Sequence, residues 1–411
     1  MKTSPWFPAA AITASSLVAL ALVACGGGGG SSPSFSALFG SMAAAQGSGA
    51  PPAKLTPVAM RIANSPVPVT GSDGVVHVVY EVELSSYTGT SVALQGMDVL
   101  DAASGSTVAT LGASELASRL VVRDRAAAPG SIGPSQVGLL YLHLKFDGSA
   151  VLPKTLAHRL NVSEDGKSIV ETGARIAVAA ATTLVLGAPL RGSRYIAGDG
   201  CCDAVRHVRA TLPLNADTFT AQRFAIDWEQ LDEQGRIYVG NPALPSSYVI
   251  YGKPIYAVAD GIVVTALDGL KDTPPGALPP TIPIEEADGN HVVLDLGGNR
   301  FATFAHMKPG SVLVRAGETV RKGQLLGEVG TSGNSSEPHL HFQVTDGPSP
   351  LASNGLPYLV QSLSAAQRGV STAAYDQASG RGVPVALEPV PQPGARQNVM
   401  PMDLWIVDFP S

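Results

Sequence analysis

A chain of 411 residues is long enough for two hydrophobic cores. Charged residues make up only 15% of it, the formal net charge is −6, and it holds 45 Gly and 32 Pro. Weak charge without a Lys/Arg cluster excludes an electrostatic nucleic-acid surface, and so many turn formers argue for short strands rather than long surface helices. The predicted fold class is all-β.

The first element is a targeting segment. Lys2 opens it, an apolar run follows over 9–21, and Leu22-Val23-Ala24-Cys25 closes it, which is the pattern of a secretory signal. The closing tetrapeptide resembles the lipobox of bacterial lipoproteins. That resemblance implies a signal peptide over 1–25, lipidation of Cys25 and a new N-terminus there. An ordinary signal peptide containing a Cys is the alternative. Gly26 after the cysteine resembles outer-membrane sorting, so the expected location is the cell envelope, anchored to the outer membrane and facing the periplasm. Residues 26–54 are rich in Gly, Ser, Ala and Pro and are expected to form a tether. No other apolar stretch reaches the length of a membrane helix.

Residues 55–190 show short apolar alternations at 75–84, 92–100, 137–146 and 176–186, separated by turns at 71–74 and 164–166. This spacing predicts an Ig-like β-sandwich that acts as a scaffold. His77, His143 and His158 lie in it and are expected to be structural. Cys201 and Cys202 are adjacent, so they cannot staple distant segments. A disulfide between neighbours and a pair of buried thiols both remain open.

A second β-rich domain is expected over 191–348, with strands at 224–228, 255–259, 262–266, 291–296, 301–306, 325–329 and 340–344. A Pro-rich insertion over 267–289 stands where a hairpin turn would serve and is expected to rim a groove. Residues 349–411 show little periodicity and are expected to pack over this domain as an extension.

Histidines in this second domain carry the chemistry. His339-Leu340-His341 lies in a strand-like run, so both imidazoles point to one face. His306 ends another strand-like segment, and Asp227 lies near the end of a third. Imidazole and carboxylate without thiolate is the ligand chemistry of a catalytic zinc site with a position left open.

The motifs around these residues resemble a known family. The stretch GKPIYAVADGIV at 252–263 is similar to the Gly-x-Pro strand of the lysostaphin-type zinc metallopeptidases. GNHVVLD at 289–295 resembles their next strand, and Phe304-Ala305-His306-Met307 their Tyr-Ala-His-Leu motif. VRAGETVRKGQLLGEVG at 314–330 and TSGNS at 331–335, followed by Pro338-His339-Leu340-His341-Phe342, resemble the hairpin and the His-x-His motif. Order and spacing hold over about 220–345.

The resemblance implies an antiparallel lysostaphin-type β-domain, one zinc per chain, and peptidoglycan peptides as substrate. It implies Asp227 and His341 as two metal ligands. His306 and His339 match the two histidines that do not bind metal, one activating water and the other holding the developing oxyanion.

The first ligand position departs from the family, because Arg223 stands there. Guanidinium has no lone pair to give a metal. Spacing i, i+4 on a strand would turn Arg223 toward Asp227, and an ion pair between them is expected. His207, just upstream, is the candidate replacement ligand, brought to the vacant corner by a neighbouring strand, with Asp203 to orient its second nitrogen. Glu229, Asp232 and Glu233 are expected to lie in a solvated loop, and His291 to be structural.

Two functions therefore stand open. One is a zinc metalloendopeptidase cutting peptidoglycan cross-links or stem peptides. The other, favoured by Arg223, is a metal-free domain that binds the wall or regulates other wall hydrolases. A structural envelope protein without wall affinity is the least compatible with the histidines. Any protein partner in the envelope is left unidentified.

Overall fold

Alternation of apolar and polar side chains builds the first half of the fold. Along Val76–Ser86 the residues Val78, Tyr80, Val82 and Leu84 are buried, and the strand pairs antiparallel with Val137–Phe146 from Val76 opposite Phe146 to Ser85 opposite Val137. The computed structural model describes residues 53–122, 128–180, 183–278 and 280–410. The expected signal peptide, Cys25 and residues 26–52 of the expected tether lie outside the described residues.

Val58–Arg61, Val76–Ser86, Val137–Phe146 and Leu120–Val122 form one antiparallel sheet, with Val69–Thr70 at its side. Lys167–Ala177, Thr155–Glu164, Val92–Asp101 and Thr107–Gly112 form a second, with Ser131–Ile132 at its side. The two share one core, in which Val82, Leu84, Met97, Leu140 and Leu160 are fully buried. Tyr80 Oη and His158 Nε2 lie 2.8 Å apart inside it, and His158 Nδ1 is 3.0 Å from the carbonyl of Ala174. The strand expected over 176–186 is two separate pieces. Lys167–Ala177 ends one sheet, and Leu184–Leu186 starts the next by pairing parallel with Tyr358–Gly369.

That next sheet has eleven strands and carries the site. Its order is Leu184–Leu186, Tyr358–Gly369, Trp405–Phe409, Gly192–Gly198, Ile226–Gln230, Leu340–Thr345, Phe301–Met307, Asn290–Asp295, Gly261–Leu267 and Thr319–Val320, with Leu387–Val399 alongside Tyr358–Gly369. The central strands are buried on both faces. One face packs Trp228, Phe304, Leu340 and Phe342 into the core, and the other faces a cavity.

Residues 349–411 do more than the sequence suggested. Trp405–Phe409 lies between Tyr358–Gly369 and Gly192–Gly198, so the C-terminal strands complete the sheet instead of covering it. Their Pro and Gly hid an alternation that buries Tyr358, Val360, Leu363 and Ala365. The helix Thr372–Arg381 packs beside these strands. Ser371 caps it by accepting from the Ala374 amide, and left-handed Gly382 ends it.

Residues 55–411 form one compact unit. Cys201 and Cys202 are joined by a disulfide across a cis peptide bond. Among the described residues no helix is long and apolar enough to cross a membrane.

Candidate metal centre and its cavity

Sheet register brings the predicted residues together. Asp227 lies opposite His341, and His341 lies opposite Ala305. Directly opposed residues share a face, so Asp227 and His341 point the same way. His339 and Glu229 each sit two residues from one of them and join that face. His306 would point away by simple alternation. A bulge sets Ala305 and His306 against the single residue His291, and left-handed backbone at His306 (φ 59°) turns its imidazole into the cavity. The adjoining turn requires Gly289 (φ 61°), where a Cβ would fall 2.2 Å from the Ser332 carbonyl that receives His306.

Each imidazole is held by one nitrogen. His306 Nδ1 donates to the Ser332 carbonyl at 2.8 Å, and His339 Nδ1 to the Glu337 carbonyl at 2.7 Å. His207 Nδ1 donates to the Asp199 carbonyl at 2.9 Å. His341 is held the other way round. The Gln343 amide nitrogen donates to the Pro350 carbonyl at 2.6 Å, so its Oε1 accepts from His341 Nε2 at 3.0 Å. Each histidine therefore keeps one lone pair for the cavity.

Three of these lone pairs face one carboxylate: His339 Nε2 lies 3.5 Å from Asp227 Oδ1, and two others come closer. His341 Nδ1 lies 2.8 Å from Asp227 Oδ1, and His207 Nε2 lies 3.3 Å from Asp227 Oδ2. Lone pairs facing lone pairs need a cation between them or an added proton. Ligand atoms of His207, Asp227 and His341 lie within 4.8 Å of one another. Two imidazoles and one carboxylate with space on a fourth side fit a zinc ion.

The electrostatics agree. Burial opposes charge on His207, yet the Asp227 carboxylate beside it overrides this and pushes His207 up to about 9. Burial likewise opposes charge on Asp227, and His207 and His339 outweigh it, holding the carboxyl well below its ordinary value. The corner thus demands positive charge. His306 behaves oppositely, because burial and then the neighbouring His339 and His341 hold it well below the usual imidazole range.

Four expectations need correction. Arg223 does not pair with Asp227. The strand begins only at Ile226, so Arg223 sits in the preceding turn and the i, i+4 argument lapses. Its guanidinium instead donates to both Glu81 oxygens at 2.8 and 2.7 Å and to the Gly355 carbonyl at 3.0 Å. His207 arrives on a four-residue helix, Val205–Val208, rather than on a neighbouring strand. Asp203 does not orient it; that carboxylate is bidentate with Arg119 at 2.8 and 2.9 Å. Glu229 is no solvated loop residue, being 4% exposed on the Asp227 strand and lining the cavity, whereas Asp232 pairs with Arg236 and Glu233 is exposed.

The cavity measures about 690 Å³. Pro275 and Gly276 of the Pro-rich insertion line it, as the sequence suggested, and Tyr238 and Tyr248 from the segment after Asp227 form another side. Glu337 and the helix residues Tyr375 and Ser379 close it. Burial and the nearby Glu337 raise the Glu229 carboxyl well above its ordinary value, and burial raises Glu337 as well. The sequence reasoning did not single out Gln343, and it misplaced Glu229. Both stand two residues from a predicted ligand on a strand, so period-two spacing marks them. Tyr375 carries no local signal.

His291 is buried and donates from Nδ1 to the Gly289 carbonyl at 2.8 Å, away from the metal corner.

Residues 248–353 match the family model described as Peptidase family M23. A curated relative, the peptidoglycan DD-endopeptidase ShyA of Vibrio cholerae, is 30% identical over 93 residues, which cover 23% of this chain and 17% of the relative. Among solved structures, a putative peptidase M23 from Pseudomonas aeruginosa is 16% identical over 64% of this chain and 91% of its own, with a TM-score of 0.24. The catalytic domain of the antimicrobial peptidase lysostaphin from Staphylococcus simulans is 20% identical over 40% of this chain and 88% of its own, with a TM-score of 0.22. A zinc containing peptidase from Vibrio cholerae is 14% identical over 66% of this chain and 79% of its own, with a TM-score of 0.23.

Proposed function

We propose, from the Peptidase family M23 domain that residues 248–353 form, that this chain is a zinc-dependent endopeptidase acting on peptidoglycan peptides. The observation that carries the proposal is the convergence of His207 Nε2 and His341 Nδ1 on the Asp227 carboxylate, an arrangement that asks for a cation. His207 takes the corner that Arg223 cannot serve. The name of the similar Vibrio DD-endopeptidase supports peptidoglycan as the substrate. Lipid on Cys25 belongs to the same proposal, because it would hold the enzyme at the outer membrane, facing the wall.

His207, Asp227 and His341 would hold the ion, which when bound supplies Lewis acidity toward a peptide carbonyl and toward water. The proton work falls to His306 and His339. Each commits Nδ1 to a backbone carbonyl, so that Nε2 is the nitrogen that accepts or returns a proton, with His339 Nε2 lying 3.5 Å from Asp227 Oδ1. A water molecule gives up one proton to an imidazole while its oxygen bonds to the carbonyl carbon. The C–N bond then breaks, and the departing nitrogen takes a proton back. The second imidazole, once protonated, can donate to the oxyanion. The metal-free alternative drew on Arg223, and Glu81 and Gly355 engage that side chain fully away from the site.

Elemental analysis of the purified chain tests the proposal. One zinc per chain is expected, lost in both His207→Ala and His341→Ala. His306→Ala is expected to keep its zinc and to cleave wall fragments about 100-fold more slowly or worse. Absence of zinc after loading and desalting would remove the enzyme from consideration. Zinc lost only in His341→Ala would remove His207 from the ligand set.

A further inference from the structure

Beside the Asp227 corner the cavity holds two carboxyl side chains, Glu229 and Glu337, that form no ion pair among the described residues. Glu229 follows Asp227 on the same strand face, and Glu337 precedes His339. Both meet one face of the C-terminal helix Thr372–Arg381. Tyr375 and Ser379 stand one turn apart on that helix. Tyr375 Oη donates to Glu229 Oε1, and Ser379 Oγ donates to Glu337 Oε2 at 2.7 Å. Each hydroxyl thus takes one oxygen of a different carboxyl group.

The other two oxygens are left over. Glu229 is 4% exposed, and its Oε2 has no hydrogen-bond partner. Among the described residues, no hydrogen bond reaches Glu337 Oε1 and no ion pair involves either glutamate. Arg206, the cation on this side of the cavity, is committed to Asp199 at 2.6 Å and to Asp376 at 3.0 Å. What this wall lacks is a positively charged donor. A buried carboxyl oxygen without a partner is costly, and a ligand that brings N–H groups and positive charge would relieve that cost.

We infer that Glu229 and Glu337, positioned by Tyr375 and Ser379, form a subsite for the ammonium group of the bound peptide. The inference rests on the peptidase proposal for the nature of its ligand. An ammonium has three donors and no acceptor, which suits a wall of acceptors. Tyr238 and Tyr248, lining the same cavity, supply apolar ring surface for the carbon chain that carries the amine. Anionic side chains are disfavoured here, and neutral ones gain nothing. The amine can come from the side chain of a diamino acid or from a free N-terminus. Glu229, Tyr375 and Ser379 lie outside the segment matched by the family model, as Asp227 does, and Glu337 lies inside it.

Calorimetric binding of peptidoglycan stem peptides to the zinc-loaded full chain tests this independently of turnover. The probes are the peptides with free amines and the same peptides after N-acetylation. Acetylation is expected to weaken binding about tenfold or more. Glu337→Gln should weaken binding of the free-amine peptides to a similar extent and leave binding of the acetylated ones unchanged. Glu229→Gln should act in the same direction, with zinc content measured alongside because Asp227 is near. Peptides acetylated at only one of their amines identify the source of the ammonium. Equal binding with and without acetylation, or no binding of either, overturns the subsite. Amine-dependent binding without any cleavage would keep the subsite and sink the peptidase proposal. Cleavage indifferent to acetylation would do the reverse.

Discussion

Gln343 decides which nitrogen of His341 faces Asp227. With its amide nitrogen tied to Pro350 and its oxygen on His341 Nε2, only the Nδ1 lone pair is left for a metal. Outer partners of this kind set ligand orientation. Gln343→Leu is therefore expected to weaken zinc binding about 10- to 100-fold with the fold retained, read by competition against a chelating dye. Unchanged affinity would mean the imidazole is oriented by packing alone. At this scale much was legible in the sequence. Asp227, His306, His339 and His341 were all named from their motifs; a strand's period of two accounts for the shared facing of His339 and His341, whereas the bulge that turns His306 inward left no such trace.

A four-residue helix such as Val205–Val208 cannot hold itself together, since forming one helical turn costs more than it returns. Its surroundings hold it. The Cys201–Cys202 disulfide precedes it, Asp203 is clamped by Arg119, and Arg206 reaches Asp199 and Asp376. Burial works to raise the Asp203 carboxyl, but Arg119, with His143 nearby, outweighs it and holds the group at about 2 against an ordinary 3.8. A depressed carboxyl stabilises the fold above its unfolded value and loses that contribution as pH falls through its folded value. The Tm of Asp203→Asn should thus fall below that of the parent near neutrality, with the gap closing between about pH 4 and pH 2. A gap independent of pH would point to packing rather than charge. The sequence named His207 but not this support, because turns and short helices leave no periodic trace. The same weakness placed a strand at 224–228 where Ile226–Gln230 is observed. That two-residue error produced the mistaken Arg223–Asp227 pair.

Arg223 instead joins the first half of the fold to the second. Its bidentate pair with Glu81 spans 142 residues, with side chains 6% and 12% exposed. Removing one member of a buried pair strands the other charge, at a cost of about 3–5 kcal/mol. Arg223→Met should lower stability to urea by that order without changing the metal ligands. Adding Glu81→Met should recover most of the loss. No recovery in the double variant would show that Arg223 acts through Gly355 instead.

What the sequence by itself determined is the chemistry that local pattern can encode. Alternation announced an all-β chain, and the His-x-His spacing with its flanking motifs announced a metallopeptidase-like site. Tertiary structure alone decided which residue stands with Asp227 and His341, where Arg223 goes, and how Tyr375 meets Glu229 across 146 residues. The reason is physical. A strand's own period says which of its residues share a face, whereas contacts between distant segments depend on strand order and register, which are settled only when the whole sheet assembles.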